Sequence, residues 1–295
     1  MRKINYAFWV ITIFFISLII YAGFIEPNRL VIRQENLFLP YWQIQDFKIG
    51  VISDIHIGTK FVDINKLEKV VNAVNSQNPD LIVFLGDLEG RYIAKSKPDE
   101  VTNVLKQLKA KYGVVSILGN HDFYPPSTVK NILKNANIPV LENESMIIST
   151  EPKFKLIGLK DMWHYKFNPD DVIGKTDIPT IVLSHNPDYF PQISSNVSLT
   201  LSGHTHGGEV YFPFLGAPFV PSKYNQKYRK GYIVENNKHL YVTSGIATLS
   251  RFRLFNPPEI VILTLNKQAK NNITNNTSVK QGYIKNHFKV PNSLR

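Results

Sequence analysis

The chain has 295 residues, enough for one large domain or two small ones. It contains no cysteine, so disulfide bonds, thiolate metal sites and a cysteine nucleophile are excluded. Any metal must therefore be held by nitrogen and oxygen ligands, which suits Mn, Fe, Zn or Ni. The formal net charge is +11, but six basic residues and no acid lie in the tail 266–295. The charge would attract any anionic partner, and by itself it does not indicate nucleic-acid binding.

An uncharged segment rich in Ile, Phe and Leu spans residues 6–25. An apolar helix of about 20 residues crosses a bilayer core, and aromatic residues near both ends of this segment suit the two membrane interfaces. We predict an uncleaved, single-pass membrane anchor. A cleaved signal peptide is the alternative, but its apolar region is usually about 7–15 residues long and ends in small residues. Residues 21–24 make a poor cleavage site of that kind.

The orientation of this anchor is nearly balanced. Arg2 and Lys3 precede it within the short basic segment 1–5, and Arg29 and Arg33 follow it. Because the positive-inside rule counts Lys and Arg, these charges almost tie. We favour an N-terminus inside the cell and a main domain outside the cytoplasm.

The first half of the chain alternates strands and helices. After a linker with short leading strands (26–46, with strands at 30–32 and 41–44), a domain is predicted over 47–265. Its first strands are predicted at 47–53, 80–85 and 114–118, followed by helices starting at Asp63, Pro98 and Ser127. This alternation predicts a parallel sheet whose sites lie at the carboxyl ends of its strands.

The second half is predicted to be strands with few helices between them. The predicted strands are 145–149, 154–159, 180–184, 198–201, 209–212, 231–234, 239–243 and 259–265. They suggest a second, mainly antiparallel sheet packed on the first. The polar, basic tail 266–295 is predicted to be disordered.

Five short polar clusters follow five of the predicted strands. They contain five of the eight histidines together with acids and an amide, namely Asp54, His56, Asp87, Asn120, His121, His185, His204 and His206. Each residue alone is more often a cap or a turn. Together they would be costly to bury without a partner, and a bound cation is the natural one.

The number of candidate ligands indicates two cations. Setting His121 aside leaves seven ligands, and one carboxylate among them can bridge two ions. Paired ions clamp a phosphoryl group and lower the pKa of a water between them. His121 is then free to stabilise developing charge or to protonate a leaving oxygen.

These motifs resemble those of the calcineurin-like metallophosphoesterases. The order is Asp-x-His, Gly-Asp, Gly-Asn-His-Asp, a later His and Gly-His-x-His, and the resemblance covers about residues 48–265. It implies a four-layer α/β/β/α sandwich, here with an N-terminal transmembrane helix. It also implies two divalent metal ions, with Mn, Fe and Zn as candidates.

The resemblance further implies a role for each residue. Asp54, His56 and His206 would hold one metal ion, and Asp87 would bridge both. Asn120, His185 and His204 would complete the second site. His121 would contact the scissile phosphate or the leaving group, with Asp122 orienting its imidazole. One departure from the family pattern is Gly90, where many members carry a second acid.

Within the family, Gly207-Gly208 and the segments 213–218, 221–224 and 228–231 resemble a membrane-anchored bacterial branch. That branch is associated with phosphodiesterase activity, and some of its members hydrolyse the diphosphate of UDP-2,3-diacylglucosamine in lipid A synthesis. The run 223–230 is either a headgroup-binding loop, with Lys223 and Arg229 contacting substrate, or a solvated basic loop. Trp163 and its neighbours are expected in the core or at the rim of the site.

The sequence therefore predicts a membrane-anchored dinuclear-metal hydrolase of a phosphodiester or a diphosphate. The substrate would be a phosphoester or a lipid-linked diphosphate, and no specific nucleic acid is expected. The alternatives are a non-catalytic metal-binding membrane module and a nuclease. A UDP-linked substrate requires a cytoplasmic domain, which conflicts with the orientation favoured above.

Overall fold

A computed structural model describes residues 2–89, 97–123, 126–250 and 252–268, without the side chains of 2–5 and 126. Gly90 and residues 269–295 lie outside the described residues. The departure at Gly90 and the disorder predicted for 269–295 therefore concern parts of the chain that the structure does not describe. For the start of the predicted tail the prediction of disorder was wrong, because Asn266 and Lys267 belong to the last strand, Glu259–Lys267.

The first sheet has five strands in the order β1-β11-β2-β3-β4. β2, β3 and β4 run parallel, β11 is antiparallel to β2, and β1 is parallel to β11. Buried β-branched and aliphatic residues fill these strands, as expected for a sheet that is covered on both faces. The strands are β1 (Val31–Leu39), β2 (Phe47–Ile52), β3 (Leu81–Phe84), β4 (Val114–Ser116) and β11 (Glu259–Lys267).

The second sheet has six strands in the order β5-β6-β7-β8-β10-β9. β6, β7, β8 and β10 are mutually parallel, and only the pairings of the two edge strands, β5 and β9, are antiparallel. The strands are β5 (Glu144–Ile148), β6 (Phe154–Gly158), β7 (Thr180–Leu183), β8 (Leu199–Ser202), β9 (Gly231–Glu235) and β10 (Lys238–Val242).

Helices cover the outer faces of both sheets. α2 (Ile64–Asn75), α3 (Pro98–Leu105) and α4 (Pro126–Asn135) pack their apolar faces on the first sheet. The short α5 (Pro169–Ile173) and a 3₁₀ segment, Pro187–Gln192, cover the second sheet. Between the two sheets lies a core of buried side chains from both. The predicted four-layer α/β/β/α fold is confirmed.

Several details of the sequence prediction were wrong. The predicted strand at 209–212 has only isolated bridges, at Val210 and Phe212. The second sheet is mainly parallel rather than antiparallel. The prediction failed because the crossovers between its strands contain short helical turns and loops instead of long helices with a recognisable periodicity. The strand at 259–265 belongs to the first sheet, where it inserts between β1 and β2. Of the two short leading strands, the first is part of a nine-residue strand, β1, and residues 41–44 do not form a strand.

The N-terminal segment is helical and mostly exposed. α1 (Arg2–Ile20) continues into a wider turn, Tyr21–Ile25, and a 3₁₀ turn, Glu26–Asn28. The run Tyr6–Asn28 is long and apolar enough to span a membrane. The first part of this run is exposed, whereas Ala22, Glu26 and their neighbours near its end are buried against the sandwich.

A buried ion cluster stabilises the start of β11. The Glu259 carboxylate lies 2.9 Å from Arg33 Nε and 2.7 Å from Lys230 Nζ, and it accepts the backbone N–H of Ser244 at 3.0 Å. Burial alone would raise the pKa of Glu259, but Lys230 and Arg33 together lower it to about 2. A carboxyl whose folded pKa is depressed stabilises the protein above its unfolded pKa, and that stability is lost as the pH falls through the folded pKa.

We expect Glu259→Gln to lower the free energy of unfolding at pH 7 by about 3–5 kcal/mol, because it removes the anion that pairs with the largely buried Lys230 and with the partly exposed Arg33. The deficit should shrink by about 3 kcal/mol as the pH falls from about 4.5 to about 2, where wild-type Glu259 is itself protonated. Urea titrations of both proteins across this range measure the difference. A deficit that does not change with pH would show that the pKa of Glu259 is not depressed.

Candidate metal centre

Five loops converge at one edge of the sandwich. They follow the carboxyl ends of β2, β3, β4, β7 and β8, which are parallel within each sheet. Parallel strands bring their carboxyl ends to the same edge, so residues far apart in sequence meet there. The residues in these loops are the predicted ones, and nearly all are buried: Asp54, His56, Asp87, Asn120, His121, His185, His204 and His206.

Two groups of these side chains have the spacing of metal ligands. The first group is Asp54, His56 and His206, and the second is Asp54, Asp87 and His185. Within each group the ligand atoms lie within 4.8 Å of one another. The two groups share Asp54, so they form one continuous centre.

Asp87 stands between the two groups. Its Oδ2 lies 3.3 Å from His56 Nε2 and 3.3 Å from His185 Nε2. One carboxylate oxygen is therefore equidistant from a histidine of each group. This position agrees with the bridging role that the resemblance implied for Asp87.

Asn120 and His204 border the second group. The amide oxygen of Asn120 lies 3.1 Å from His185 Nε2, and the ring centroids of His185 and His204 are 5.1 Å apart. On the other side, the rings of His56 and His206 stack at 5.2 Å. The structure thus brings all seven candidate ligands together, with His204 beside His185 and His206 beside His56.

The backbone at the centre is strained. Five of the seven candidate ligands have a positive φ, namely Asp54 (53°), His56 (45°), Asp87 (56°), His204 (67°) and His206 (49°). Non-glycine residues rarely adopt this conformation, and its concentration here is typical of a functional site. Gly119 makes the close packing possible, because a Cβ at this position would lie 2.2 Å from Asp87 Oδ1.

The tautomers of two histidines suit metal binding. His185 Nδ1 lies 2.7 Å from the backbone carbonyl of Leu85, and His56 Nδ1 lies 3.1 Å from that of Glu89. When Nδ1–H donates to a carbonyl, the lone pair of Nε2 points to the opposite side of the ring. In both residues that side faces Asp87.

The electrostatics also fit a cation. Burial lowers the pKa of His204 to about 3 and that of His206 well below its usual value, so both rings are neutral donors. Burial would also lower the pKa of His185, but the Asp87 carboxylate raises it to about 10, so a cation that binds His185 must displace this proton. Three buried ring nitrogens, His56 Nε2, His204 Nε2 and His206 Nδ1, have no hydrogen-bond partner among the described residues. Metal coordination would satisfy them.

Asp122 has a different role from the one predicted. Its buried carboxylate accepts backbone N–H groups from Asp87 at 2.8 Å, Gly119 at 2.9 Å and Glu89 at 3.2 Å. Both oxygens are thus engaged by the loops that follow β3 and β4, rather than by the imidazole of His121. Asp122 positions the Asp87 loop, and the family motif could not distinguish these two uses.

His121 lies at a cavity of about 590 Å³ that opens on the centre. Its backbone N–H donates to Asp87 Oδ1 at 2.8 Å, and its ring lies 4.9 Å from that of His56. Trp163, which is 61% exposed, forms another wall and meets the His204 ring edge-on at 4.8 Å. Of the two positions expected for Trp163, core or rim, the structure shows the rim.

Lys223 and Arg229 are not among the described residues that line this cavity. Arg229 donates to the backbone carbonyl of Gly207 at 2.8 Å and stacks on Tyr211. Lys223 lies over the Tyr224 ring. The hydrogen bond of Arg229 places its part of the loop 223–230 against the Gly203–Gly208 segment. The substrate contact of Lys223 and Arg229 stays a prediction.

The sequence analysis missed a buried polar network behind His206. Asn256 donates from Nδ2 to the His206 carbonyl at 2.8 Å, and its own N–H donates to Glu26 at 2.6 Å. The fully buried Arg253 donates to the carbonyls of Ser244 and Asn256. No motif marks these residues. The one feature of the sequence that could have indicated them is the presence of charged residues in a segment, 244–258, that has no apolar periodicity.

We expect Asn256→Ala to weaken metal binding by about 10–100-fold, the usual effect of losing a group that orients a metal ligand. The substitution removes the hydrogen bond that fixes the backbone of His206. Titration with a metal chelator measures the change, and Asn72→Ala, at an exposed position of α2, is the matched control. Equal metal retention by both variants would contradict the role of Asn256.

Comparisons with known proteins agree with this site. Residues 47–208 match the calcineurin-like phosphoesterase family. The chain is 31% identical over 252 residues to phosphodiesterase YaeI of Escherichia coli, covering 83% of this chain and 92% of that protein. It is 25% identical over 305 residues to the UDP-2,3-diacylglucosamine pyrophosphatase LpxG of Chlamydia trachomatis, covering 83% and 92%.

A third relative is a transmembrane protein with a metallophosphoesterase domain from Danio rerio. It is 30% identical over 224 residues, which cover 68% of this chain and 49% of that protein. The family match includes all five loops of the metal centre. The chain therefore belongs to the calcineurin-like phosphoesterase family and is a hydrolase of phosphoric esters or diphosphates that uses two divalent metal ions.

Proposed function

We propose that this protein is a membrane-anchored phosphoesterase that hydrolyses a phosphodiester or a diphosphate. The observation that carries the proposal is the pair of ligand groups that share Asp54, with Asp87 Oδ2 3.3 Å from both His56 and His185, next to an open cavity. Asp54, His56 and His206 would hold one divalent cation, and Asn120, His185 and His204 the other, with Asp87 shared. When bound, two such ions activate a water molecule and neutralise charge on the phosphoryl group.

The residues of the chain have separable tasks in this proposal. His121, half-buried at the cavity, protonates the leaving oxygen or stabilises its developing charge. Asp122 fixes the loop of Asp87, and Asn256 fixes that of His206. Trp163 and Phe219 wall the cavity and shield part of it from water.

A lipid-linked substrate agrees with the walls of the cavity. Beyond the candidate ligands, its described lining is largely apolar, with Val210, Pro218, Phe219, Pro221 and Leu249. The named activity of LpxG on UDP-2,3-diacylglucosamine and the apolar N-terminal helix point the same way. A nuclease activity is less well supported, because its only motive is the net charge of +11, and six basic residues of that excess lie in the tail 266–295.

The side of the membrane decides between two substrate classes. A UDP-linked lipid is expected in the cytoplasm, whereas the balance of charges around the anchor weakly favours an external domain. A topology reporter fused to the C-terminus answers this question. An external signal would exclude UDP-2,3-diacylglucosamine and direct attention to phosphoesters of the cell envelope.

The test of the proposed function is hydrolysis by the purified full-length protein after reconstitution with Mn, Fe or Zn. We expect turnover of an aryl phosphodiester or of a diphosphate diester, and loss of that turnover with a chelator. Metal binding without turnover of any ester in a broad panel would favour the non-catalytic alternative and overturn the proposal.

A further inference from the structure

Two loops beside the cavity expose large apolar side chains to solvent. Phe214 and Leu215 are 104% and 86% exposed, and Phe219, which also lines the cavity, is 73% exposed. We call the whole set the apolar rim. It consists of Phe212, Phe214, Leu215, Phe219, Leu249, Phe252 and Phe255. Monomeric soluble proteins rarely expose so many large apolar residues together, and such patches mark interaction sites.

The two loops of the apolar rim form one connected structure. Tyr211 donates its N–H to the carbonyl of Leu254 at 2.9 Å, and Leu254 donates to the carbonyl of Glu209 at 3.1 Å. The Glu209 carboxylate also accepts the backbone N–H of Ser250 at 2.7 Å. The rim is therefore held in place by backbone hydrogen bonds and is continuous with the cavity wall.

The apolar rim is attached to the end of the N-terminal helix. Arg253, in the middle of the second loop, donates its N–H to the carbonyl of Ala22 at 2.9 Å. Asn256 donates to Glu26 at 2.6 Å. Phe252 and Phe255 are the chain neighbours of these two residues, so they lie close in space to the segment Tyr6–Asn28, which is long and apolar enough to span a membrane.

The sheet topology places this attachment at the edge of the metal centre. β1 starts at Val31, directly after the helix, and runs parallel to β11, which is antiparallel to β2. Val31 therefore lies at the edge of the sheet where β2 ends and where Asp54 begins the centre. The helix end, the apolar rim and the cavity share one side of the molecule.

The charges around the apolar rim suit an anionic surface. The segment 210–234 contains no aspartate or glutamate, and its exposed charged residues, Lys223 and Lys227, are both basic. Lys227 also pairs with Glu235 at 2.8 Å. Exposed aromatic residues among basic ones are typical of surfaces that bind at the interface of an anionic membrane.

We propose that the apolar rim docks into the bilayer that holds the N-terminal helix, so that the metal centre opens at the level of the lipid headgroups. A lipid-linked phosphoester then reaches the centre while its acyl chains stay in the membrane. This inference rests on the proposed function. Beyond that function, the apolar rim is assigned as the docking surface, and substrate enters the cavity from the membrane side.

The absence of native cysteine permits a direct test in the full-length protein. An environment-sensitive fluorophore is attached to Leu215→Cys, in vesicles of phosphatidylcholine and phosphatidylglycerol in equal parts. The matched control is Lys109→Cys, which is exposed just before β4 and so lies at the opposite edge of the sheet. Nitroxides on lipid chains quench the fluorescence of a label that lies in the bilayer. A water-soluble nickel chelate quenches the fluorescence of a label that is exposed to water.

We expect the label at 215 to be quenched by the lipid nitroxides and protected from the nickel chelate, and the label at 109 to behave in the opposite way. A label at 215 that the chelate quenches freely would overturn the proposal. Protection from both quenchers that disappears on dilution would also overturn it, because it would show that a second copy of the chain covers the rim.

A second variant links docking to turnover. The double substitution Phe214→Ser and Leu215→Ser changes two residues that do not line the cavity. It should lower hydrolysis of a lipid-linked diphosphate in vesicles by at least about tenfold, and leave turnover of a soluble aryl phosphodiester unchanged. Equal turnover of the lipid substrate by both proteins would contradict the docking role. If wild type fails to hydrolyse even the soluble ester, the proposed function itself fails.

Discussion

Asp87→Asn is expected to lower turnover of a phosphodiester by more than about 100-fold, beyond the usual effect of residues that only orient metal ligands. The substitution keeps the shape of a side chain that is 1% exposed, but it removes the negative charge that lies 3.3 Å from both His56 and His185. Steady-state kinetics with a metal-reconstituted protein measure the loss, and elemental analysis measures the metal bound per chain.

The control for Asp87→Asn is the same chemical change at Asp99, which is exposed in the first turn of α3. This variant should keep full activity and full metal content. Thermal unfolding of the Asp87 variant should remain cooperative, because no core contact is lost. Undiminished turnover by a folded Asp87→Asn protein would show that this carboxylate is not part of the centre.

His121→Ala is expected to lower kcat by about 10²–10⁴-fold, the range typical of a lost general acid. Its metal content should stay unchanged, because His121 reaches Asp87 through its backbone N–H, at 2.8 Å, which the alanine variant keeps. Activity measurements paired with elemental analysis separate this result from that of the Asp87 variant, in which both quantities fall.

The choice of leaving group gives a sharper test of His121. If His121 protonates the leaving oxygen, the loss should be large for an alkyl ester and small for a nitrophenyl ester, whose leaving group needs no proton. Added imidazole should partly restore the alkyl reaction. An equal loss for both esters would instead assign His121 to binding the phosphoryl group.

The metal ligands could be predicted from sequence because each follows a strand. Asp54, Asp87 and Asn120 end strands that are recognisable by their apolar runs, and parallel strands bring such residues to one edge. The periodicity of α2 likewise predicted its buried face, Leu67, Val70, Val71 and Val74. Local patterns and a general rule of topology were sufficient for these features.

Features set by tertiary contacts could not be predicted in the same way. Asp122 follows His121 directly, but its carboxylate turns to the backbone of the loop that follows β3. Glu26 lies in a segment read as a linker, yet it contacts Asn256, 230 residues later in the chain. The crossovers of the second sheet lack helical periodicity, so the parallel direction of β7, β8 and β10 was not visible in the sequence.

The most direct measurement of the central claim is a metal titration of the metal-free full-length protein, followed by elemental analysis and by turnover of a phosphodiester or diphosphate. Two ligand groups that share Asp54 predict that two equivalents of a divalent cation bind per chain. They also predict that activity reaches its maximum only with the second equivalent. Full turnover with a single equivalent, or turnover that persists without metal, would contradict a dinuclear centre.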